Sequence, residues 1–349
     1  MSATFATALS TDVLWVLLAL ITAVVVTAIL TVSLNVGLAV AQDALPYLLI
    51  LSWVILILAL LSGAWVLAIL AGLLGVYHLA LIVPRFVSAR IPHWAAHAPK
   101  LRLVVSNVFT ENKTPDVLAA LLIAADGDVM VITEWNPQFA AAFERAGGGD
   151  SHPHRLVDDN DHSEYNVCIA SKTPLSEKSA IVEVGQLKLT HAVLLCGSRE
   201  VQIIGIIPNA VVDPGGFDIW KSQIGSLIEH IPSLEKPVVI AGDFNTTRFR
   251  PEFRALLKAG LTDAHDALGR SLKPSFRLST DGVLSKPGVV IRLDHALLSK
   301  SIVALDADDL ESGGSDHLPF VMTLAVQPER RSSAWFTRRS SPRRAVPTT

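Results

Sequence analysis

The sequence predicts an α+β fold, in which a membrane-spanning apolar segment precedes a domain of two β-sheets packed face to face with helices outside. Two observations predict it. Residues 1–84 carry only two formally charged side chains, Asp12 and Asp43. From residue 101 onward, short apolar runs typical of strands follow one another in hairpin-like succession on both sides of helical segments.

The apolar segment is long enough for three helices. A membrane-spanning helix needs about 20 apolar residues. Val13–Ala41 fits one helix, and Leu45–Pro84 fits two with a hinge near Ser62-Gly63. We expect spans at about 13–34, 45–62 and 64–84, within an anchor of residues 1–86. A cleaved signal peptide does not fit, because no basic region precedes the run and the run is too long. A buried soluble helical core is the remaining alternative.

Basic residues follow the third span, whereas the N-terminus and the loop around Asp43 contain no lysine or arginine. This asymmetry favours a multi-pass protein of the cell membrane whose large domain is cytoplasmic, although large domains cross membranes regardless of such charges. The side of the membrane therefore stays open. The basic residues are Arg85, Arg90, Lys100 and Arg102.

The rest of the chain divides into a linker of residues 87–100, a domain of residues 101–327 and a tail of residues 328–349. The tail is rich in arginine, serine and proline, which predicts disorder. The net charge of −3 gives no pointer to nucleic acid. Cys168 and Cys196 lie in apolar runs that could be sheet neighbours, so buried free thiols are expected and a disulfide stays open if the domain is exported.

Polar side chains follow several of the predicted strands. Asn107 and Glu134 each end an apolar run, and Asp243 and Asn245 follow another. A carboxylate and an amide two residues apart point to the same side of an extended strand end. Alone, each could be a surface residue or an Asx turn. Together they predict one site that binds a divalent cation, since Mg²⁺ prefers a few carboxylate oxygens and keeps several waters.

Two Asp-His pairs lie near the end of the domain, Asp294-His295 and Asp316-His317. A carboxylate that hydrogen-bonds an imidazole fixes its tautomer and raises its basicity. Asp316-His317 follows the glycine pair Gly313-Gly314. We expect Asp294 to pair with His317, and His295 to be the weaker imidazole.

These residues fall in motifs that resemble the endonuclease/exonuclease/phosphatase superfamily. The resemblance covers residues 101–326, and any one motif alone is weakly specific. In chain order the motifs are Ser106-Asn107-Val108 with Asn112, Ile132-Thr133-Glu134, Gly242-Asp243-Phe244-Asn245-Thr246-Thr247, Gly260-Leu261-Thr262-Asp263-Ala264, Pro274-Ser275-Phe276, Arg292-Leu293-Asp294-His295 and Ser315-Asp316-His317-Leu318-Pro319.

The resemblance implies a four-layer α/β/β/α sandwich and hydrolysis of phosphoesters that depends on Mg²⁺ or Mn²⁺. By resemblance, Asn107, Glu134 and Asp316 lie around the metal, and Asp243 positions the attacking water. Asn245 binds the scissile phosphate, and His317, oriented by Asp294, contacts or protonates it. The implied substrate-binding residues are Asn209, Asn112 and Phe276.

One position departs from this pattern. Ile206 stands in the strand where the family usually has a histidine or tyrosine that contacts the phosphate. Isoleucine cannot donate a hydrogen bond, and one lost donor costs roughly 3 kcal/mol of transition-state stabilisation. This departure supports the alternative to an enzyme, a membrane scaffold or ligand-binding module that keeps the fold without catalysis.

The sequence thus predicts a membrane-anchored, divalent-metal-dependent hydrolase of phosphoester bonds. Its expected partners are the lipid bilayer and a phosphoester substrate, and no protein partner is evident. A lipid headgroup, a nucleotide and a nucleic acid all remain open as substrates. The anchor favours a headgroup, since it confines the site near a bilayer, and the absence of a basic stripe with interleaved aromatic residues disfavours DNA.

Overall fold

A computed structural model describes residues 11–30, 33–158, 164–234, 237–278 and 288–329. The N-terminal part contains two helices long and apolar enough to cross a membrane, or three spans if a pair bent by 73° counts as one. The bent pair consists of the second and third helices. In chain order the helices are α1 Thr11–Ile29, α2 Val36–Asp43, α3 Leu45–Leu61 and α4 Trp65–Ile82.

The first predicted span, 13–34, is wrong at its C-terminal end. Helix α1 ends at Ile29, and the apolar residues from Val36 onward form the separate helix α2. Asn35 begins α2, because its side chain accepts a hydrogen bond from Leu38 N at 2.9 Å and so caps the helix. The predicted hinge falls at Gly63, whose φ of +72° suits glycine.

The remaining chain folds into two six-stranded sheets and a two-stranded ribbon. The first sheet has the order β13-β14-β1-β2-β4-β3, the second has the order β5-β6-β7-β8-β12-β9, and β10 pairs with β11. The strands are β1 Lys100–Asn107, β2 Val129–Thr133, β3 His154–Val157, β4 Val167–Ser171, β5 Ala180–Val184, β6 Leu187–Cys196, β7 Arg199–Ile206, β8 Val238–Asp243, β9 Thr262–Asp263, β10 Phe276–Leu278, β11 Gly288–Ile291, β12 Asp294–Leu298, β13 Ile302–Asp309 and β14 Phe320–Val326.

Helices cover the outer faces of both sheets. The residues of β1 alternate, so that Leu103 and Val105 belong to the cluster between the sheets while Val104 packs with the helices outside. The predicted four-layer α/β/β/α arrangement is confirmed. Its helices are α5 Pro115–Ala124, α6 Pro137–Arg145, α7 Gly148–Ser151, α8 Pro214–His230, α9 Pro251–Lys258 and α10 Ala264–Ala267, with short 3₁₀ turns at Val83–Phe86, His93–Ala96 and Ile231–Ser233.

Two local expectations differ from the structure, and a third cannot be compared with it. The apolar run at 289–299 predicts a single strand, but it forms two, because β11 pairs with β10 while β12 pairs with β8 and β9. Cys168 and Cys196 are free and lie in different sheets, so they are not sheet neighbours. The predicted tail lies almost wholly outside the described residues.

The apolar helices pack directly against the domain. Ala39 of α2 belongs to the apolar cluster of α8, where it joins Phe217 and Trp220. Arg85, just after α4, donates to both carboxylate oxygens of Asp266 at 2.7 and 2.6 Å. The segment expected as a linker also contacts the domain, since Ala89 N donates to Ala267 O at 2.7 Å.

The topology brings four strand ends to one edge of the sandwich. Strands β1 and β2 run parallel and end at Asn107 and Thr133. In the facing sheet β8 ends at Asp243, and β12 begins beside it with Asp294 opposite Asp243. The polar residues that follow apolar strands therefore meet at this edge.

Candidate active site

The centre of the site is the amide of Asn107. Its Nδ2 donates to Glu134 Oε1 at 2.9 Å and to Asp243 Oδ2 at 3.1 Å, and it thereby joins the two sheets. Its Oδ1 accepts from Phe109 N at 2.9 Å. In this orientation Asn107 holds two carboxylates in place, while its own oxygen is bonded within the protein.

Glu134 follows β2 in a left-handed backbone conformation, with φ of +57°. Such a conformation is uncommon for a residue other than glycine and costs about 1–3 kcal/mol. The side chain is fixed by Thr110, which donates from both N (2.7 Å) and Oγ1 (3.0 Å) to Oε2. The strained turn places a half-buried carboxylate at the end of a fully buried strand.

The catalytic loop, defined here as residues 244–250, follows β8. Gly242 has φ of +137°, and a Cβ there would lie 2.1 Å from Ile206 O, so only glycine fits. Asn245 is also left-handed, with φ of +50°. Its backbone N donates to Asp243 Oδ1 at 2.8 Å, and its Nδ2 donates to Pro208 O at 2.9 Å. An amide hydrogen on Nδ2 stays available for a ligand.

His317 lies between two carboxylates. Its Nδ1 donates to Asp294 Oδ2 at 2.6 Å, and its Nε2 is 3.7 Å from Asp243 Oδ2. Ser315 holds the segment, because its Oγ accepts from His317 N at 3.0 Å and donates to Asn107 O at 2.9 Å. The Phe276 ring packs on the imidazole with centroids 5.0 Å apart.

The electrostatics of the site follow from burial and these contacts. Burial raises the pKa of Asp243 to about 6, with His317 opposing and Asp294 adding to the rise. Burial lowers the pKa of His317, but Asp294 and Asp243 outweigh it and raise that pKa to about 10. At neutral pH the imidazole is therefore a cation whose hydrogens are directed by two carboxylates.

Asp316 is half-buried beside these groups. Burial raises its pKa, His317 lowers it, and the negative charge of Glu134 raises it again. Its Oδ1 has no hydrogen-bond partner among the described residues. An unpaired carboxylate oxygen near a second carboxylate is a place where a cation fits, because a cation relieves both the desolvation and the repulsion.

A second set of atoms also has the spacing of a cation site. One ligand atom each from Asp243, Asp294 and His317 lies within 4.8 Å of the others. Nδ1 of His317 and Oδ2 of Asp294 already bind each other, so this set serves first as a hydrogen-bonded couple. Glu134 and Asp316 offer the hard oxygen ligands that Mg²⁺ and Mn²⁺ prefer.

The other predicted substrate-binding residues lie around the centre and bond within the protein. Asn112 accepts from Thr114 N at 2.8 Å and donates to Gly313 O at 3.3 Å, and so holds the glycine pair near Asp316. Asn209 Oδ1 accepts from Gln223 Nε2 at 3.3 Å. Ile206 is fully buried in the apolar cluster under α8, so it contributes packing at the position of the expected aromatic donor.

Two groups of residues were not predicted. Asp263 and His295 form a second buried couple, in which Asp263 Oδ2 lies 2.7 Å from His295 Nδ1. The other ring nitrogen of His295, Nε2, lies 3.2 Å from the carbonyl oxygen of Thr246 in the catalytic loop. Asp43, the last residue of α2, contacts the same loop through Thr247. Its signal in the sequence was its isolation, as one of two charges in a long apolar segment.

A cavity of about 300 Å³ lies behind the catalytic loop, between the apolar helices and the domain. The cavity is separate from the site around Asn107. The residues that line it do not include Glu134, Asp243, Asp294, Asp316 or His317. Its mainly apolar lining includes Tyr47, Ile50, Ile82, Phe249 and Leu272.

Comparison with known proteins gives a consistent result. The model of the Endonuclease/Exonuclease/phosphatase family matches residues 105–317. A UPF0294 protein of Erwinia tasmaniensis is 25% identical over 198 residues, which cover 50% of this chain and 71% of that protein.

Two solved structures share the fold. The endonuclease/exonuclease/phosphatase of Beutenbergia cavernae has a TM-score of 0.53 and 17% identity, over 65% of this chain and 72% of its own. The D. rerio TDP2 complexed with single strand DNA product has a TM-score of 0.54 and 16% identity, over 65% of this chain and 99% of its own.

Proposed function

Because the chain belongs to the endonuclease/exonuclease/phosphatase family, we propose that it is a membrane-anchored hydrolase of phosphoester bonds that acts with a bound divalent cation, Mg²⁺ or Mn²⁺. One observation carries the proposal. Asp294, His317 and Asp243 form a continuous buried series beside Glu134 and Asp316, and a protein without catalysis has no physical need for so many polar groups in one cleft.

Glu134 and Asp316, with Asn107 holding Glu134, would bind the cation, which supplies positive charge to the phosphoryl oxygens. Asp243 is placed to hold the attacking water and accept its proton, since burial raises its pKa to about 6, near neutral pH. Water attacks phosphorus and the bond from phosphorus to the leaving oxygen breaks. The leaving oxygen takes up a proton from solvent, Asp243 returns its proton to solvent, and the products are a phosphate and an alcohol.

Two residues bind the phosphoryl group. The free amide hydrogen of Asn245 donates to a phosphate oxygen, and the strained backbone at this residue aims it before substrate arrives. The His317 imidazolium, held by Asp294, donates from Nε2 and stabilises charge that builds on the oxygens. Ile206 is buried in the apolar core and donates no hydrogen bond, so Asn245 and His317 are the two side-chain donors in this proposal.

Among the open substrate classes we propose the headgroup of a membrane lipid. Thr247 of the catalytic loop bonds to Asp43, and helix α3 begins at Leu45. Asn245 is two positions before Thr247 in the chain, so the two residues lie at most about 7 Å apart. The polar layer on each side of a bilayer is roughly 5–8 Å deep. If α3 enters the bilayer, the site therefore lies at the level of the headgroups.

The DNA product in the structure of D. rerio TDP2 makes a nucleic acid the second candidate.

We also propose that the domain is cytoplasmic, in a multi-pass protein of the cell membrane. The support is the set of basic residues after α4. Arg85 is weaker support than the sequence implied, because its charge is paired with Asp266 of the domain.

A panel of phosphoesters tests the function on the full chain reconstituted in lipid vesicles. The panel contains a radiolabelled phospholipid, bis-nitrophenyl phosphate and single-stranded DNA, each with Mg²⁺ and with a chelator. Turnover that requires Mg²⁺ and is fastest on the phospholipid supports the proposal. Equal rates with the chelator contradict the metal, and faster cleavage of DNA contradicts the substrate class.

A further inference from the structure

The membrane anchor contributes a side chain to the support of the catalytic loop. Asp43, the last residue of α2, accepts three hydrogen bonds at Oδ1. They come from Thr247 N at 2.8 Å, Thr247 Oγ1 at 2.9 Å and Thr246 Oγ1 at 3.3 Å. All three residues are buried. A carboxylate this deep is stable only when such donors and a cation surround it, so the loop and the anchor need each other.

The cation is Arg250, at the other end of the loop. Its guanidinium pairs with Asp43 Oδ2 and lies 4.4 Å from the centre of the Trp220 ring. The indole Nε1 of Trp220 donates to Phe244 O at 3.0 Å. A continuous buried series thus leads from Asp43 through Arg250 and Trp220 to Phe244, the residue between Asp243 and Asn245.

The loop requires such support. Asn245 is held at φ of +50°, and strained backbones persist only where the surrounding structure fixes them. On the domain side, the Asp263–His295 couple approaches the carbonyl of Thr246. On the membrane side, Asp43 binds the hydroxyl of Thr246 and the next residue. The residue after Asn245 is therefore held from two directions.

Two other hydrogen bonds between the anchor and the domain lie away from Thr246 and Thr247. Ser33 Oγ donates to Glu252 Oε2 at 2.8 Å, and Lys221 Nζ donates to Ser33 O at 3.1 Å. Both domain residues lie in helices, α9 and α8. The two hydrogen bonds of Ser33 join the same two parts of the protein. Of the two anchor residues, Ser33 and Asp43, it is Asp43 that binds Thr246 and Thr247.

We propose that Asp43 is a positioning residue for the catalytic loop, so that the membrane anchor is part of the active-site structure in addition to holding the protein at the bilayer. This proposal rests on the proposed function. Loss of the contact leaves the fold and the metal ligands in place but lets Asn245 move. A misplacement of about 1 Å costs roughly 100-fold in rate, so a partial loosening costs roughly 10- to 100-fold in kcat.

The test compares two isosteric changes in the full chain in detergent micelles. Asp43→Asn removes the charge that binds the loop and Arg250. Glu252→Gln is the matched control, because it makes the same change from carboxylate to amide at the same interface. Thr247→Val removes one donor to Asp43 from the loop side. Soluble bis-nitrophenyl phosphate is the substrate, so that the membrane does not affect its access.

Asp43→Asn and Thr247→Val should each lower kcat by roughly 10- to 100-fold with KM changed by less than about threefold. The double variant should lose little more than the worse single variant, because both changes remove one contact. Glu252→Gln should retain the wild-type kcat within about twofold when every variant is assayed well below its own thermal midpoint. Equal kcat values for Asp43→Asn, Thr247→Val and Glu252→Gln would overturn the proposal. If Asp43→Asn does not fold, the comparison of kcat between Thr247→Val and Glu252→Gln decides.

Hydrogen exchange separates this proposal from the proposed function. The amides of residues 244–250 should exchange faster in Asp43→Asn than in Glu252→Gln, whether or not the protein turns over a phosphoester. Wild-type protein that is inactive on every ester would contradict the function and leave this readout intact. Equal exchange in the two variants would overturn the role of Asp43.

Discussion

His317 Nδ1 lies 2.6 Å from Asp294 Oδ2, and the opposite nitrogen of the same ring faces Asp243. The three side chains come from a loop, from the start of β12 and from the end of β8. Asp294 and Asp243 are register partners in one sheet, so the imidazole is held between two neighbouring strands. This relationship makes His317 a cation at neutral pH and directs its second hydrogen towards Asp243.

Asp294→Asn should lower the pKa of His317, because among the groups that raise that pKa against burial the charge of Asp294 contributes most. The imidazole then loses both its fixed orientation and part of its charge. We expect kcat to fall by roughly 100-fold to 10 000-fold. An NMR titration of the His317 ring measures the pKa, and steady-state kinetics measure kcat.

Asp263→Asn is the matched control for this variant, because it breaks the other buried Asp-His couple. It should lower the thermal midpoint, since breaking a buried pair costs about 3–5 kcal/mol. It should leave the titration of His317 unchanged. An Asp294→Asn protein whose His317 titrates as in the wild type would contradict our account of the couple.

His265 predicts a dependence of stability on pH. Burial, followed by the charge of Arg292, lowers the pKa of His265 well below its ordinary value of 6.5. The unfolded chain therefore binds more protons than the folded chain below pH 6.5, and stability falls as the pH falls through this range. The contribution is at most about 1.4 kcal/mol per pH unit.

His265→Leu should reduce this loss, as measured by the free energy of unfolding between pH 8 and pH 5. His152 and His191 leave a residual slope, because burial lowers their pKa values too. His317 has the opposite sign: its raised pKa adds stability below pH 6.5, which is lost as the pH rises towards 10. An acid-side slope unchanged in His265→Leu would show that this histidine is not buried in its neutral form.

Glu134→Ala should weaken binding of Mg²⁺ or Mn²⁺ by at least about 10-fold, because it removes a carboxylate that faces Asp316. Calorimetric titration of the full chain in detergent measures the affinity. Glu183→Ala is the control, since Glu183 is an exposed glutamate on β5. Equal affinities in the two variants would place the cation elsewhere.

Gly242→Ala should destabilise the protein by more than Gly260→Ala. Both glycines have positive φ, at +137° and +107°, so both variants incur backbone strain of about 1–3 kcal/mol. At Gly242 the new Cβ also meets Ile206 O at 2.1 Å, whereas nothing lies within 4 Å at Gly260. Thermal midpoints of the two variants give the comparison. Equal shifts would mean that β7 and β8 do not approach as closely as described.

Local patterns predicted two facing sheets and the strand ends that form the centre of the site. Asn107, Glu134 and Asp243 are polar residues that end runs of buried apolar residues, and such ends meet at one edge of a sheet. Strand β13 was missed because it lies at the edge of its sheet and exposes one side. A register shift between Ala304 and Asp306 also interrupts its alternation of buried and exposed residues.

Contacts between distant parts of the chain could not be predicted from local patterns. Asp43 and Arg250 are 207 residues apart, and nothing in the periodicity around either residue indicates the other. The break between α1 and α2 depends on one capping residue, Asn35, within an apolar run that fits a single helix equally well. The second couple, Asp263 and His295, likewise joins residues from separate strands.

The origin of the oxygen in the product tests the central claim most directly. The full chain in lipid vesicles hydrolyses a phosphodiester with Mg²⁺ in water labelled with a heavy oxygen isotope, and mass spectrometry locates the label. Water held by Asp243 attacks phosphorus in our account, so the label should enter the phosphate product, and Asp243→Ala should abolish its appearance. Label in the alcohol, or labelled phosphate at the wild-type rate from Asp243→Ala, would contradict it.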